Sequence, residues 1–158
     1  MASYETVITV PRPIDVTFAF ISSFDNGAKW DPRTYAAEKV TPGPVGVGTR
    51  FVLRGGALRE KTVRRLRLPM ALASMRLPYD ITEFDAPDRF VMVGENVLYR
   101  YDDHISFTAD GDSTLVRYAA TLHLKGPLRV FNWFLQHQFR RIGDDATRGI
   151  ADAVVNAA

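Results

Sequence analysis

The chain contains no cysteine, which excludes disulfides, thiol nucleophiles and cysteine-held zinc or iron–sulfur centres. No apolar run approaches the roughly 18 residues of a membrane span, and the opening MASYETVITVPRP lacks the basic start and apolar centre of a secretory signal. Excess charge of one sign is slight: 20 Lys and Arg face 18 Asp and Glu, a formal +2, so nucleic acid is not an expected partner. Histidine is scarce. His104, His123 and His137 fall on separate segments without an HxxxH or HExxH spacing, and no metal site is expected. His104 and His123 sit opposite their strands' apolar sets, whereas His137 borders an apolar stripe and is the histidine expected nearest an interior. GPVGVGTR lacks the Lys-Ser/Thr ending of a phosphate loop, and no serine stands in a G-x-S-x-G elbow.

What is present is one domain's worth of chain. The 158 residues are 46% hydrophobic and 11% aromatic, enough for a core of ordinary size without a staple. A single domain over residues 1–158 in a soluble, cytoplasmic protein is expected. Residues 3–10 alternate, with Tyr4, Thr6, Ile8 and Val10 on one face, the period of a strand. Pro11 and Pro13 end it, and Pro13 with Asp15 suits a helix start. The turn formers of FDNGAKWDP keep that helix short. Strands follow near 34–42, 49–53, 76–85, 88–97, 98–109 and 113–125, with Asp110-Gly111-Asp112 as a hairpin turn. After Gly126-Pro127 the period becomes helical through Leu128, Phe131, Leu135, Gln138, Ile142 and Ala146. A helix of about 30 residues would span roughly 45 Å. Gly143 and Gly149 predict a bend at one and a close backbone approach at the other.

Charge is patterned in one place. Residues 54–76 carry Arg54, Arg59, Lys61, Arg64, Arg65, Arg67 and Arg76 against Glu60 alone. This basic insert, about 55–75, predicts either a solvated strand pair or a surface for anionic membrane or an acidic protein, with Arg59, Arg64, Arg65 and Arg67 as contacts.

The segments ITVPRPIDVTFAFI, FDNGAKWDP, GPVGVGTRF, YDITEFDAPDRF, HISFTADGDSTLVRY and LKGPLRVF, in that order, resemble the START-like (SRPBCC) superfamily. Within it they are most similar to the polyketide cyclase/dehydrase and lipid-transport group. Phe18 stands where the family often has tryptophan, the hairpin tip reads Gly111-Asp112-Ser113-Thr114, and Gly55–Ser74 is longer than the family suggests. The resemblance implies an α+β helix-grip fold: a curved antiparallel sheet of about six or seven strands around a long C-terminal helix, with two short helices after the first strand. It also implies an interior cavity for a small hydrophobic or polycyclic ligand, in a carrier, sensor or sequestering protein without a cofactor. The expected ligand contacts are Trp30, Phe51, Tyr79, Tyr99, Tyr101, Tyr118, Phe131, Leu135 and Gln138. Tyrosine suits such a wall, pairing ring contact with a hydroxyl. The rival is a cofactor-independent cyclase or dehydratase with Asp103 as acid–base residue. Asp103 shares a strand face with Tyr99, Tyr101, Ile105 and Phe107, where burial would raise its pKa; a water-facing strand end is its alternative. Arg117 is expected on an outer face.

Overall fold

The computed structural model describes residues 1–56, 58–69, 74–95 and 97–157, and their side chains except at 128, 129, 131–135 and 138. The expected contacts Phe131, Leu135 and Gln138 therefore lie outside the described side chains. The elements are β1 (Ala2–Val10), α1 (Ile14–Ser22), a 3₁₀ turn at Phe24–Asn26, α2 (Gly27–Trp30), β2 (Thr34–Lys39), β3 (Arg50–Gly55), α3 (Glu60–Arg65), β4 (Met75–Asp85), β5 (Arg89–Glu95), β6 (Tyr99–Asp110), β7 (Ser113–Leu124), a 3₁₀ segment at Gly126–Phe131, α4 (Asn132–Arg148) and α5 (Ile150–Ala157). The strands form one antiparallel sheet ordered β1-β7-β6-β5-β4-β3-β2, curled into a half-barrel as the helix-grip expectation required.

Antiparallel succession gives the sheet two unlike ends. At the lower end β4–β5 and β6–β7 close in tight turns; Gly111 takes φ 60° there, a conformation that favours glycine. At the upper end the connections are 56–74, 96–98 and 125–131. Alternation on β6 buries Tyr101, Asp103, Ile105 and Phe107 and turns Arg100, His104 and Thr108 out to solvent. On β7 the same rule buries Val116, Tyr118 and Ala120 and exposes Arg117, which pairs with Glu5 across the outer face at 2.7 Å. Phe18 of α1 packs edge-on against Phe84, Phe90 and Phe107 at 5.1–5.9 Å, filling the lower half with hydrocarbon.

The long helix differs from expectation. It breaks at Gly149 into α4 and α5, and close approach occurs at both glycines. A Cβ on Gly149 would stand 2.3 Å from the Trp30 carbonyl oxygen, and one on Gly143 would stand 2.5 Å from the Tyr4 ring. Helix α4 also covers the free edge of β1. The Gln136 amide accepts from the Ser3 backbone N–H (2.8 Å) and donates to the Ser3 carbonyl (2.7 Å).

In the basic insert residues 60–65 are helical, not a strand pair. Glu60 pairs with Arg64 one turn on at 2.6 Å, and the fully buried Val63 roots the helix. The residues 70–73 lie outside the description. Among the described residues no helix is long and apolar enough to cross a membrane.

Candidate functional site

The concave face of the upper half collects the tyrosines. Tyr79 on β4 stands 4.5 Å from Tyr101 on β6, ring to ring, and Tyr101 stands 5.7 Å from Tyr99. Phe24 joins this row to the helices, 5.2 Å from Tyr79, 5.6 Å from Trp30 and 6.4 Å from Phe51. Trp30, Phe51, Tyr79, Tyr99, Tyr101 and Tyr118 thus belong to one inner surface. Tyr99 is half-buried at its upper margin, and Phe51 is completely covered.

At the centre is Asp103, only 4% exposed. Its Oδ2 accepts from the Tyr118 hydroxyl at 2.7 Å. Burial pushes its carboxyl up to about 7, against the opposing effect of the Tyr118 hydrogen bond, because desolvation penalises the carboxylate more than one neutral donor restores. Burial also raises Tyr118 and Tyr79 well above the usual phenol range, and the charges of Asp103 and Asp31 add to this for both. The phenols therefore stay protonated as donors, and the negative potential of two carboxylates reaches them.

Three features of the site were not foreseen. Asp31, after α2, is a second acidic group, raised chiefly by burial; its carboxylate accepts from the Arg33 N–H (2.9 Å) and the Thr34 hydroxyl (2.6 Å). An aspartate two residues before a free N–H is a known turn former, so Trp30-Asp31-Pro32 held a local signal for this bend but none for its proximity to the tyrosines. Gly94 is the second. A Cβ there would meet the Tyr101 ring at 2.0 Å, so the ring crosses β5 above this glycine and donates its hydroxyl to the Pro78 carbonyl. The Tyr101 hydroxyl is consequently engaged within the sheet. Third, the Trp30 Nε1–H is buried without an acceptor among the described residues, a cost normally relieved by water or ligand.

A cavity of about 480 Å³ lies between α4 and the β1–β7 pair, walled by Tyr4, Ala120, Arg140 and Asp144 among others. Among the described residues none of the expected ligand contacts lines it. It does reach the site's border: Ala120, buried on the inner face, is the cross-strand partner of both Tyr4 and Asp103. The Tyr4 hydroxyl bonds Thr147 (3.0 Å) and donates to Asp144 (3.1 Å), fixing α4 over this end of the sheet.

His137 is exposed, contrary to expectation, since its position on α4 lies off the face that covers the sheet; His104 is exposed as expected. No group of acidic or histidine side chains among the described residues is arranged to hold a metal. Arg59, expected as a partner contact, stays half exposed while it binds Asp145 of α4 at 2.5 Å, and Arg33 binds the same carboxylate at 2.8 Å. The pair of guanidiniums holds Asp145 below the usual carboxylate range and ties α3 and the α2–β2 turn to α4.

Solved structures share this architecture. A START superfamily protein from Mycobacterium smegmatis superposes with a TM-score of 0.75 at 10% identity, each chain covered completely. A Thermus thermophilus protein gives 0.75 at 16% identity, with 99% of both chains covered. An aromatase/cyclase from Streptomyces gives 0.70 at 11% identity, covering 98% of this chain and 92% of that one. These identities carry the fold alone. Among curated proteins none matches significantly. The family model described as polyketide cyclase/dehydrase and lipid transport matches residues 1–155, nearly the whole chain, and the protein belongs to that family.

Proposed function

We propose that the protein is a cytoplasmic carrier, sensor or sequestering protein that binds a small hydrophobic or polycyclic ligand bearing hydroxyl groups between α4 and the tyrosine wall. The observation that carries this reading is the buried Asp103–Tyr118 pair, on the sheet face that also bears Tyr79 and Tyr101, with the unsatisfied Trp30 N–H joined to that row through Phe24. Rings supply apolar contact, the carboxyl group accepts from a ligand hydroxyl, and the indole N–H donates to a ligand oxygen. The partly buried Asp31 and the buried Asp103 disfavour a ligand whose own head is anionic.

The chain has two tryptophans, so Trp133→Phe leaves Trp30 as a fluorescent reporter. Titration with naphthol and with an anthraquinone phenol should quench it saturably, and Asp103→Asn should weaken binding about tenfold, the scale of one hydrogen bond to a charged group. Absence of saturable quenching by either class would overturn the reading.

A second reading is favoured by one fact, the rise of the Asp103 carboxyl to about 7, which suits proton transfer near neutral pH. In a cyclase, ionised Asp103 would remove a proton from a methylene between two carbonyls, and the enolate carbon would bond to a ketone carbon of the same chain. The resulting alkoxide would recover the proton from Asp103, and loss of water would follow. The Tyr118 hydroxyl would orient the carboxylate. Under this reading Asp103→Asn lowers kcat by about a hundredfold or more, beyond its effect on affinity; equal losses in kcat and affinity would exclude it.

A further inference from the structure

The exposed large apolar side chains are distributed unevenly over the molecule. Antiparallel order places the connections 56–74, 96–98 and 125–131 at the same, upper end of the sheet, as shown by the pairs Gly55–Met75, Glu95–Arg100 and Tyr99–Leu124. Leu58, Leu66, Leu68, Met75, Leu98, Val97 and Val130 stand exposed there, Val97 at 89% and Val130 at 68%. Among the described residues the remaining exposed large apolars are Met1, beside the upper end of β1, and four valines elsewhere. Every exposed leucine among the described residues is at the upper end.

The same end is basic. Lys61, Arg64, Arg65 and Arg67 project from α3 and the turn after it, and Arg54 and Arg76 are exposed on the adjoining strand ends. Arg64 pairs with Glu60, whereas Lys61, Arg65 and Arg67 form no ion pair among the described residues. The lower end is acidic, with Asp15, Asp85, Asp88, Asp110 and Asp112 all exposed. The turn after α3 is held firmly. Arg67 adopts φ 53° and the Leu68 N–H reaches back to the Val63 carbonyl at 3.1 Å, the closing bond of a helix terminus usually made with glycine. With Val63 buried, this turn displays Leu66 and Leu68 alternately with Arg65 and Arg67 instead of folding them inward.

We propose that the upper end docks on an anionic lipid bilayer. The basic residues match the bilayer's negative surface, and the leucines and valines on three separate connections enter the headgroup boundary as shallow anchors. The acidic lower end orients the molecule by repulsion. A protein partner would be expected to meet a contiguous apolar centre depleted of charge; here arginine and leucine alternate, as in segments that lie on membranes. The site of contact adjoins Tyr99, the upper margin of the tyrosine wall, so docking sets the interior beside the phase in which a hydrophobic ligand is concentrated.

Co-sedimentation of the full chain with phosphatidylcholine vesicles, with and without phosphatidylglycerol, tests this. Binding should require phosphatidylglycerol and weaken with salt. The triple variant Arg64→Glu, Arg65→Glu, Arg67→Glu should lose about a hundredfold or more in partitioning, and the neutral Val97→Asn should weaken it with the net charge unchanged. Arg89→Glu at the lower end should change nothing. Circular dichroism and the Trp30 titration in the triple variant report whether the fold and the interior are intact, which separates failure of docking from failure of the ligand reading. Three outcomes would overturn the proposal: no binding by the wild type, equal binding to both vesicles, or undiminished binding by the intact triple variant.

Discussion

The two halves of the sheet use aromatic residues in opposite ways. In the lower half Phe18 meets Phe84, Phe90 and Phe107, rings without polar atoms, over tight turns. In the upper half the rings are Tyr79, Tyr99, Tyr101 and Tyr118 with a carboxyl group among them, under long connections. The first arrangement maximises buried apolar area with no polar group to satisfy. The second keeps polar groups out of water, at a cost to stability offset only where hydrogen bonds are complete. One half holds the fold, and the other is the half to which we assign ligand recognition.

The largest expected effect tests the lower half. Phe18→Ala removes the ring shared by three others and should destabilise the fold by about 3–5 kcal/mol, seen as a lower urea midpoint with unchanged slope. A loss below about 1 kcal/mol would mean that the phenylalanine cluster does not carry the stability assigned to it.

Asp103 tests the upper half through pH. Its folded pKa, about 7, lies above the unfolded value of about 3.9, so the folded state holds a proton the unfolded chain has released between these values. Its contribution is full below about pH 4, declines as pH rises and is lost once the folded group ionises near 7. The amplitude is on the order of a few kcal/mol. Asp103→Asn should flatten stability over this window and make the variant the more stable form at pH 8, measured by urea unfolding at several pH values. A wild type whose stability does not fall between pH 4 and 7 would show that the carboxyl is solvated.

The smallest effect sharpens the boundary between the halves. Gly94→Ala forces a Cβ into the Tyr101 ring and within 2.3 Å of the Pro78 carbonyl. A loss of about 1–3 kcal/mol is expected, with weaker quenching of Trp30 by naphthol as the Tyr101 ring is displaced. Unchanged quenching would remove Tyr101 from the ligand surface.

Much of this division is readable from local pattern. Two-residue alternation along 99–107 puts Asp103 on the same face as Tyr101 and Phe107, and the structure keeps that register without a bulge. Family resemblance supplied the curvature and the gripping helix. What escaped the sequence depends on contacts between distant segments. The charge of Asp31 reaches Tyr79 and Tyr118 because α2 packs on β2 and brings the following residue to this end of the sheet. Position 149 must be glycine because the Trp30 carbonyl occupies the space a side chain would need. Six residues of α3 are too few for a clear helical period, and their charges mask the fully buried Val63 that roots them. The isolated Gly94 did carry a usable signal, since a glycine within a strand often marks close approach of another group.

The Gln136 amide on Ser3 has a consequence for the protein in concentrated solution. An open strand edge recruits other strands, and this one is met by a side chain that imitates the donor and acceptor of a neighbouring backbone. Substituting that glutamine by leucine would leave the fold's core untouched while exposing a template for intermolecular pairing, so colloidal behaviour, more than melting temperature, is where its absence would be felt.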